Sequence, residues 1–208
     1  TGSYSFSGPT YQLGLLDLAG FENDGALHNN PSIVTNHPRS FAFTGTEYIQ
    51  AANNNYFTGG DFTVTAWVYI TNNTSYSRIF DFGNGENSDN VILAMEGSSY
   101  FPTFHIYSGG SDSWVTSNTE ISTGVWTHYA VTYASGAGTI YLNGVSVGSN
   151  GMYRPNNVLR NNCYIGKSNW ASDSGLEGNV SKFAIYRTAM TGTEVLADYN
   201  KTKATYGL

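Results

Sequence analysis

From Phe62 to Ile70 the chain alternates without a break: Phe62, Val64, Ala66, Val68 and Ile70 fall on one side, Thr63, Thr65, Trp67 and Tyr69 on the other. A period of two puts successive side chains on opposite faces of a strand, and no helix can sort this segment into an apolar and a polar side. Trp67 and Tyr69 on the second face call for cover there too, as in a sandwich of sheets. The same strand pattern is read at 40–43, 48–50, 78–82, 91–96, 103–108, 114–117, 126–133, 139–142, 145–148, 163–166 and 180–187. Helical signals are confined to the end of the chain. There Thr191-Gly-Thr-Glu194 has the form of a capping box, and Val195, Leu196 and Tyr199 supply an apolar face. The fold class is therefore all-β, a two-sheet antiparallel sandwich with one short C-terminal helix and with Trp67 and Trp126 expected to be buried.

Turn chemistry supports that class. Asn143-Gly144, flanked by Ile140, Leu142, Val145 and Val147, suits a two-residue hairpin whose central residues both need positive φ. Ser135-Gly-Ala-Gly138 closes the preceding hairpin. Polar, Gly-rich stretches at 83–90, 108–113, 148–162 and 167–175 read as long loops, where function concentrates in a compact β domain. No composition break marks a linker, so residues 1–208 are expected to form one domain. Aromatic residues make up 15% of the chain, enough to fill a core without staples. The lone Cys163 lies in a strand-like run and is expected to be a small buried apolar residue, with no disulfide or cysteine-based zinc site available to it.

Charge narrows the partners. Lysine and arginine number 9 against 15 acidic residues, a net charge of −6, and all charged residues together are only 12% of the chain. Phosphate backbones and anionic lipid surfaces need a basic patch, which argues against nucleic acid and membrane partners. No apolar run approaches the ~20 residues of a membrane span, and Thr1 to Ser7 lack the charged start and apolar stretch of a secretion signal. The absence of an initiator methionine suits an excised or processed chain.

Seven segments then occur in a telling order: Leu16-Asp-Leu-Ala-Gly-Phe-Glu-Asn-Asp-Gly-Ala-Leu27, Ser40-Phe-Ala-Phe-Thr-Gly-Thr-Glu-Tyr-Ile49, Phe62-Thr-Val-Thr-Ala-Trp67, Trp126-Thr-His-Tyr-Ala-Val-Thr-Tyr133, Ile140-Tyr-Leu-Asn-Gly144, Tyr164-Ile-Gly166 and Gly178-Asn-Val-Ser-Lys-Phe-Ala-Ile-Tyr186. Together they resemble the laminin-G-like jelly roll of the concanavalin A-like lectin/glucanase superfamily over nearly the whole chain. The ending at 194–208 resembles a subgroup found in virion, tail-fibre and other microbial adhesive surface proteins. The resemblance implies two packed antiparallel sheets, and a role in binding glycans or proteins.

Some relatives of that fold hydrolyse glycosides, which takes two carboxylates ~5–9.5 Å apart across the scissile bond. No predicted strand carries such a pair, so an enzyme is not expected. Gly144-Val-Ser-Val-Gly148 has the spacing of a nucleophile elbow but runs on as a strand where that motif needs a helix. His28, His37, His105 and His128 show no paired metal spacing, and His128 falls at a buried position of the family pattern. Asp17 and Asn23 are expected to hold their own turn through side-chain to backbone bonds. The loop at 83–90 offers hard oxygen donors, and the resemblance makes Asp89, with Glu86, the candidate calcium site. The family's usual carboxylates near the penultimate strand are Ser181 and Lys182 here, which argues against a second calcium.

Sugars are held by aromatic faces against their C–H surfaces, with amides, hydroxyls and arginine supplying direction. The candidates outside the family core pattern are Tyr76, Arg78, Tyr100, Tyr107, Trp114, Tyr153, Arg154 and Trp170. Trp114 and Trp170 lead because each adjoins a Gly- or Ser-rich stretch. The first expectation is a noncatalytic recognition module of an extracellular or virion-surface protein, with a glycan or cell-surface polysaccharide as partner. The alternative is a capsid or tail-fibre decoration domain whose partner is the parent virion or fibre protein.

Overall fold

The computed structural model describes residues 2–5, 16–17, 25–36 and 38–208, with side chains from residue 25 onward. Asn23 and His37 lie outside the described residues, as does the side chain of Asp17. The first six strands are β1 (Gly2–Ser5), β2 (Leu16–Asp17), β3 (Ala26–His28), β4 (Ser32–Val34), β5 (Ser40–Thr44) and β6 (Tyr48–Gln50). The segment that opened the sequence reading is β7 (Phe62–Asn72), followed by β8 (Arg78–Gly83), β9 (Val91–Met95), β10 (Pro102–Ser108) and β11 (Ser111–Thr116). Last come β12 (Trp126–Ala134), β13 (Ala137–Leu142), β14 (Val145–Gly151), β15 (Asn162–Ile165), β16 (Glu177–Tyr186), the helix α1 (Gly192–Thr202) and a 3-10 turn, Lys203–Tyr206.

All pairings are antiparallel, and they build the two sheets of a jelly roll. One sheet runs β14-β13-β12-β7-β16-β1-β2, with β5 also paired to β16 and β4 to β5; the other runs β11-β10-β9-β8-β15-β6-β3. The alternation of β7 is used as written. Phe62, Val64, Ala66, Val68 and Ile70 enter the core between the sheets, where Phe80, Phe82, Phe104, Tyr129, Phe183, Cys163 and Ile165 meet them. Phe57 and Phe62 pack with ring centroids 4.6 Å apart, and Phe62 stacks on Tyr133 at 5.7 Å. Burial raises the Cys163 thiol to about 12, which leaves it an inert apolar filler. The Asn143-Gly144 turn has φ of 50° and 82°, the positive pair its two-residue loop demands.

The outer face of the first sheet is covered by the end of the chain. Thr191 and Glu194 form the reciprocal cap that starts α1, and the helix with its 3-10 turn lies over Trp67. Tyr206 stacks on Trp67 with centroids 3.8 Å apart, Tyr199 flanks it at 5.8 Å, and Trp67 Nε1 donates to Thr202 Oγ1 at 3.0 Å. Asp198 pins the helix to the sheet through buried His128, at 3.1 Å, and Lys182, at 3.2 Å. Lys182 reaches that partner because β16 carries a bulge between Val180 and Lys182. Trp126 departs from expectation: it is half-buried, because it opens β12 at the margin of this cover, with its ring against Tyr69 and Tyr206. Leu196 of the expected apolar helix face is also exposed, and Val195 alone of the helix is fully buried.

Candidate functional site

The second sheet has no such cover over its middle strands among the described residues. In β10, Phe104 and Ile106 enter the core, so Thr103, His105 and Tyr107 must face outward. Cross-strand pairing extends that outer row: His105 lies between Ile92 of β9 and Trp114 of β11, and Asp81 of β8 lies between Ile92 and Tyr164 of β15. A bulge between Arg78 and Phe80 turns Arg78 to this face as well.

Arg78 is almost wholly buried at the floor. Its Nη2 donates to Asp173 Oδ2 at 2.6 Å, Nη1 donates to the Tyr76 carbonyl at 2.7 Å, and Nε lies 3.6 Å from Asp81 Oδ2. Asp81 is fully buried, and burial raises its carboxyl above the usual range; donors from Asn169 and Asn90 and the charge of Arg78 work against that rise. The Asn169 backbone N–H and side-chain amide both donate to Asp81, at 2.9 and 2.8 Å, while Ser168 donates to Asp173 and accepts from the Trp170 N–H. The 167–175 connection is thus tied to the sheet at both carboxylates. Its Trp170 ring is held above the guanidinium at 5.4 Å, with Tyr76 at 6.0 Å.

Around this floor the rings form a rim. Tyr107 tilts against Trp170 at 5.4 Å, and His105 stacks between Tyr107 at 6.3 Å and Trp114 at 5.9 Å. Tyr76, Arg78, Ile92, Thr103, His105, Tyr107, Trp170 and Asp173 enclose a cleft of about 230 Å³. His105 Nε2 lies 3.1 Å from Thr103 Oγ1, and its Nδ1 is buried with no hydrogen-bond partner among the described residues. Burial, aided by the nearby Arg78, lowers the imidazole to about 4, so the ring is neutral at physiological pH.

Of the sequence candidates, Trp170, Tyr107, Tyr76 and Arg78 line this cleft, and Trp114 stands at its end. Trp114 also lines a separate cleft of about 540 Å³ with Tyr153, Asn150 and Met152, where the β11 and β14 edges meet. Tyr100 is exposed in the 96–101 connection, outside both clefts, with its carbonyl accepting from Ile121. Arg154 is also exposed and outside both clefts, its Nε donating to the Gly59 carbonyl. The expected long loop at 108–113 is a two-residue turn at Gly109-Gly110, both at positive φ, so Trp114 sits inside a strand. Sequence reasoning passed over Thr103 and His105, although the alternation of β10 carried the signal. It also passed over Asp81 and Asp173, which no local pattern joins to Arg78.

The loop with Glu86 and Asp89 is held without a cation. Asp89 Oδ1 accepts from Asn156 at 2.7 Å, the Asp89 carbonyl accepts from Arg160 Nε at 2.8 Å, and the Asn84 and Asn90 amide oxygens accept backbone N–H groups. Among the described residues no three His, Cys, Asp or Glu side chains converge as metal ligands. Internal donors thus occupy one Asp89 carboxylate oxygen, the Asp89 carbonyl and the Asn84 and Asn90 amide oxygens, four of the hard donors this loop would offer to a calcium ion, whose shell takes six to eight oxygens including waters.

Several solved structures share the architecture. The botulinum neurotoxin serotype G binding domain superposes with a TM-score of 0.76 at 16% identity, covering 98% of this chain and 51% of that one. Domain 4 of AbnA, an extracellular GH43 arabinanase from Geobacillus stearothermophilus solved with arabinotriose, gives 0.71 at 20% identity, covering 87% and 90%. The binding domain of botulinum neurotoxin DC, solved in complex with SialylT, gives 0.73 at 13% identity, covering 96% and 50%. This chain spans about half the length of the toxin domains it matches, and at such identities the likeness is one of fold. No curated protein sequence matches it. Residues 43–196, three quarters of the chain, match the sequence profile of the concanavalin A-like lectin/glucanases superfamily, and the protein belongs to that family.

Proposed function

We propose that this protein is a noncatalytic glycan-recognition module that binds on the outer face of the seven-stranded sheet, over Trp170 and Tyr107. The carrying observation is a cleft rimmed by Tyr76, Tyr107, Trp170 and His105 and, among the described residues, left open above a floor in which Arg78 is paired with Asp173 and lies beside buried Asp81. Ring faces suit the C–H surfaces of a sugar, and the unpartnered His105 Nδ1 and the Tyr107 hydroxyl offer direction. The carboxylates here do not form a hydrolytic pair. Asp81 is buried, and Asp173 shares the Arg78 guanidinium with it, so neither is free to flank a glycosidic bond.

An extracellular or virion-surface setting agrees with this role. The neighbour from G. stearothermophilus is part of an extracellular arabinanase, and two neighbours were solved with SialylT or arabinotriose. No described helix is long and apolar enough to cross a membrane. A broad glycan array, followed by calorimetry on its hits, is the test: the native protein should bind and Trp170→Ala and Tyr107→Ala should lose affinity. An array without hits, together with protection of Trp170 and Tyr107 on assembly into a fibre or capsid, would turn the reading to a decoration domain with a protein partner.

A further inference from the structure

Trp170 and Asp173 line a second cleft, of about 280 Å³, on the β6 side of the same loop. His28 and Tyr48 stack there at 4.4 Å with planes 2° apart, and Tyr164 meets Tyr48 edge-on at 5.4 Å. The Lys167 ammonium lies over both tyrosines, 4.3 and 4.7 Å from their centroids. The two clefts share one wall. From Tyr107 on β10 to Tyr48 on β6 the sheet crosses four strand spacings, about 19 Å at ~4.8 Å each, too far for a single sugar and suited to a short chain lying across the strands.

The charges of this face are unevenly occupied. Glu47 accepts from Thr44 N and Oγ1, and Asp173 accepts from Arg78 and Ser168. Arg78 is buried and donates from Nη1 and Nη2 to the Tyr76 carbonyl and Asp173, Arg160 is buried on backbone carbonyls, and Lys182 is paired with Asp198. Lys167 is in none of the ion pairs among the described residues. Ring faces hold its charge in place and leave its N–H donors unspent, on a partly exposed side chain beside an aromatic wall.

Resting on the glycan-binding reading above, we propose that the ligand is an acidic oligosaccharide: one unit lies on Trp170 and Tyr107, and a carboxylate-bearing unit enters the Tyr48 compartment and accepts hydrogen bonds from Lys167. The net charge of −6 makes this a site for one or a few acid groups and disfavours a dense polyanion.

Calorimetry with matched pairs tests this, using lactose against sialyllactose and galactotriose against trigalacturonic acid. The native protein should hold the acidic member of at least one pair about tenfold more tightly, the size of one charge-assisted hydrogen bond at a partly exposed site. That preference should shrink as salt is raised. Lys167→Gln should bring the two members level, Lys167→Arg should restore the gap, and equal melting temperatures would show both variants folded. Equal binding of the two members by the native protein, abolished by Trp170→Ala, would overturn the acidic compartment and leave the glycan reading standing. A preference that survives Lys167→Gln would overturn the role of Lys167. If a wider array also shows no binding at all, both readings fall together.

Discussion

The two outer faces of this sandwich begin with similar materials and end with opposite roles. Each has a tryptophan among tyrosines and a buried or partly buried acid that ties a neighbouring segment to the sheet. On the nine-stranded sheet Asp198 fastens α1 to His128 and Lys182, and Tyr206 comes down on Trp67 at 3.8 Å. On the seven-stranded sheet Asp81 and Asp173 fasten the 167–175 connection to Arg78, and the ring they position, Trp170, remains at the rim of a cleft. The difference lies in what is fastened. A helix with an aromatic 3-10 turn supplies enough area to close a face, whereas a nine-residue connection supplies one ring and, among the described residues, leaves the face open. An aromatic residue on this fold is therefore core or contact surface according to what lies over it, and both kinds alternate with core residues in the same way.

The sharpest break of that comparison is Trp67→Ala. Trp67 is fully buried, stacked on two tyrosines and tilted against His128, so its truncation should cost about 3–5 kcal/mol. Urea unfolding reads this directly. A loss below about 1 kcal/mol would mean that the helix is not a true cover and that the two faces are alike.

The converse belongs to the open face. Trp170→Ala or Tyr107→Ala should weaken glycan binding by about 1–3 kcal/mol, as for an aromatic anchor, and leave the unfolding midpoint within about 0.5 kcal/mol of the parent. Trp114→Ala should cost less binding, because its ring stacks on His105 at the end of the cleft. Variants that unfold would place Trp170 with Trp67, as structure and not site.

Much of this contrast was legible in the sequence, and the rest was not, for physical reasons. The strands follow from two-residue alternation, and the helix start follows from its cap, because both are local patterns. That Trp170 and Tyr107 lie outside the family core pattern was legible, and both line the cleft. The Gly-rich run at 108–113 misled because Gly109-Gly110 is as good a tight hairpin as a loose loop, and only pairing of β10 with β11 distinguishes them. Asp81, Asp173 and Arg78 meet across the β8 floor and a loop more than ninety residues on. Such a network leaves no spacing to read, and the same holds for Asn156 and Arg160 reaching the loop at Asp89.

Acid should destabilise the two faces in sequence. His105 has a folded value of about 4, below the ordinary 6.5, so the stability from keeping it neutral is complete above pH 6.5 and is lost as pH falls toward 4. Burial opposes ionisation of Asp198, but the His128 hydrogen bond and the Lys182 charge win and hold it at about 2. Its contribution is therefore complete above about pH 4 and is lost as pH falls toward 2. At about 1.4 kcal/mol per unit, His105 should account for about 3 kcal/mol and Asp198 for about 2 kcal/mol. In stability measured against pH, His105→Gln should flatten the upper window and Asp198→Asn the lower one. The reverse assignment would contradict the account of which face each group holds.

The smallest effect concerns calcium, and it separates the cleft from the loop at Asp89. A ligand that prefers the folded state raises stability by RT ln(1 + [L]/Kd), so even a millimolar site would show a shift in millimolar calcium. Here Asn156 already donates to Asp89 Oδ1 and Arg160 supplies the positive charge a cation would bring. Calcium would have to displace the one and crowd the other. The melting temperature should therefore agree within about 1 °C between millimolar calcium and chelator, a bound that corresponds to a few tenths of a kcal/mol for a domain of this size. Glycan affinity should be equally unmoved, because none of the cleft residues belongs to that loop. A clear rise in melting temperature that Asp89→Asn abolishes would show that calcium remodels the loop, and a matching rise in glycan affinity would tie that loop to the open face after all.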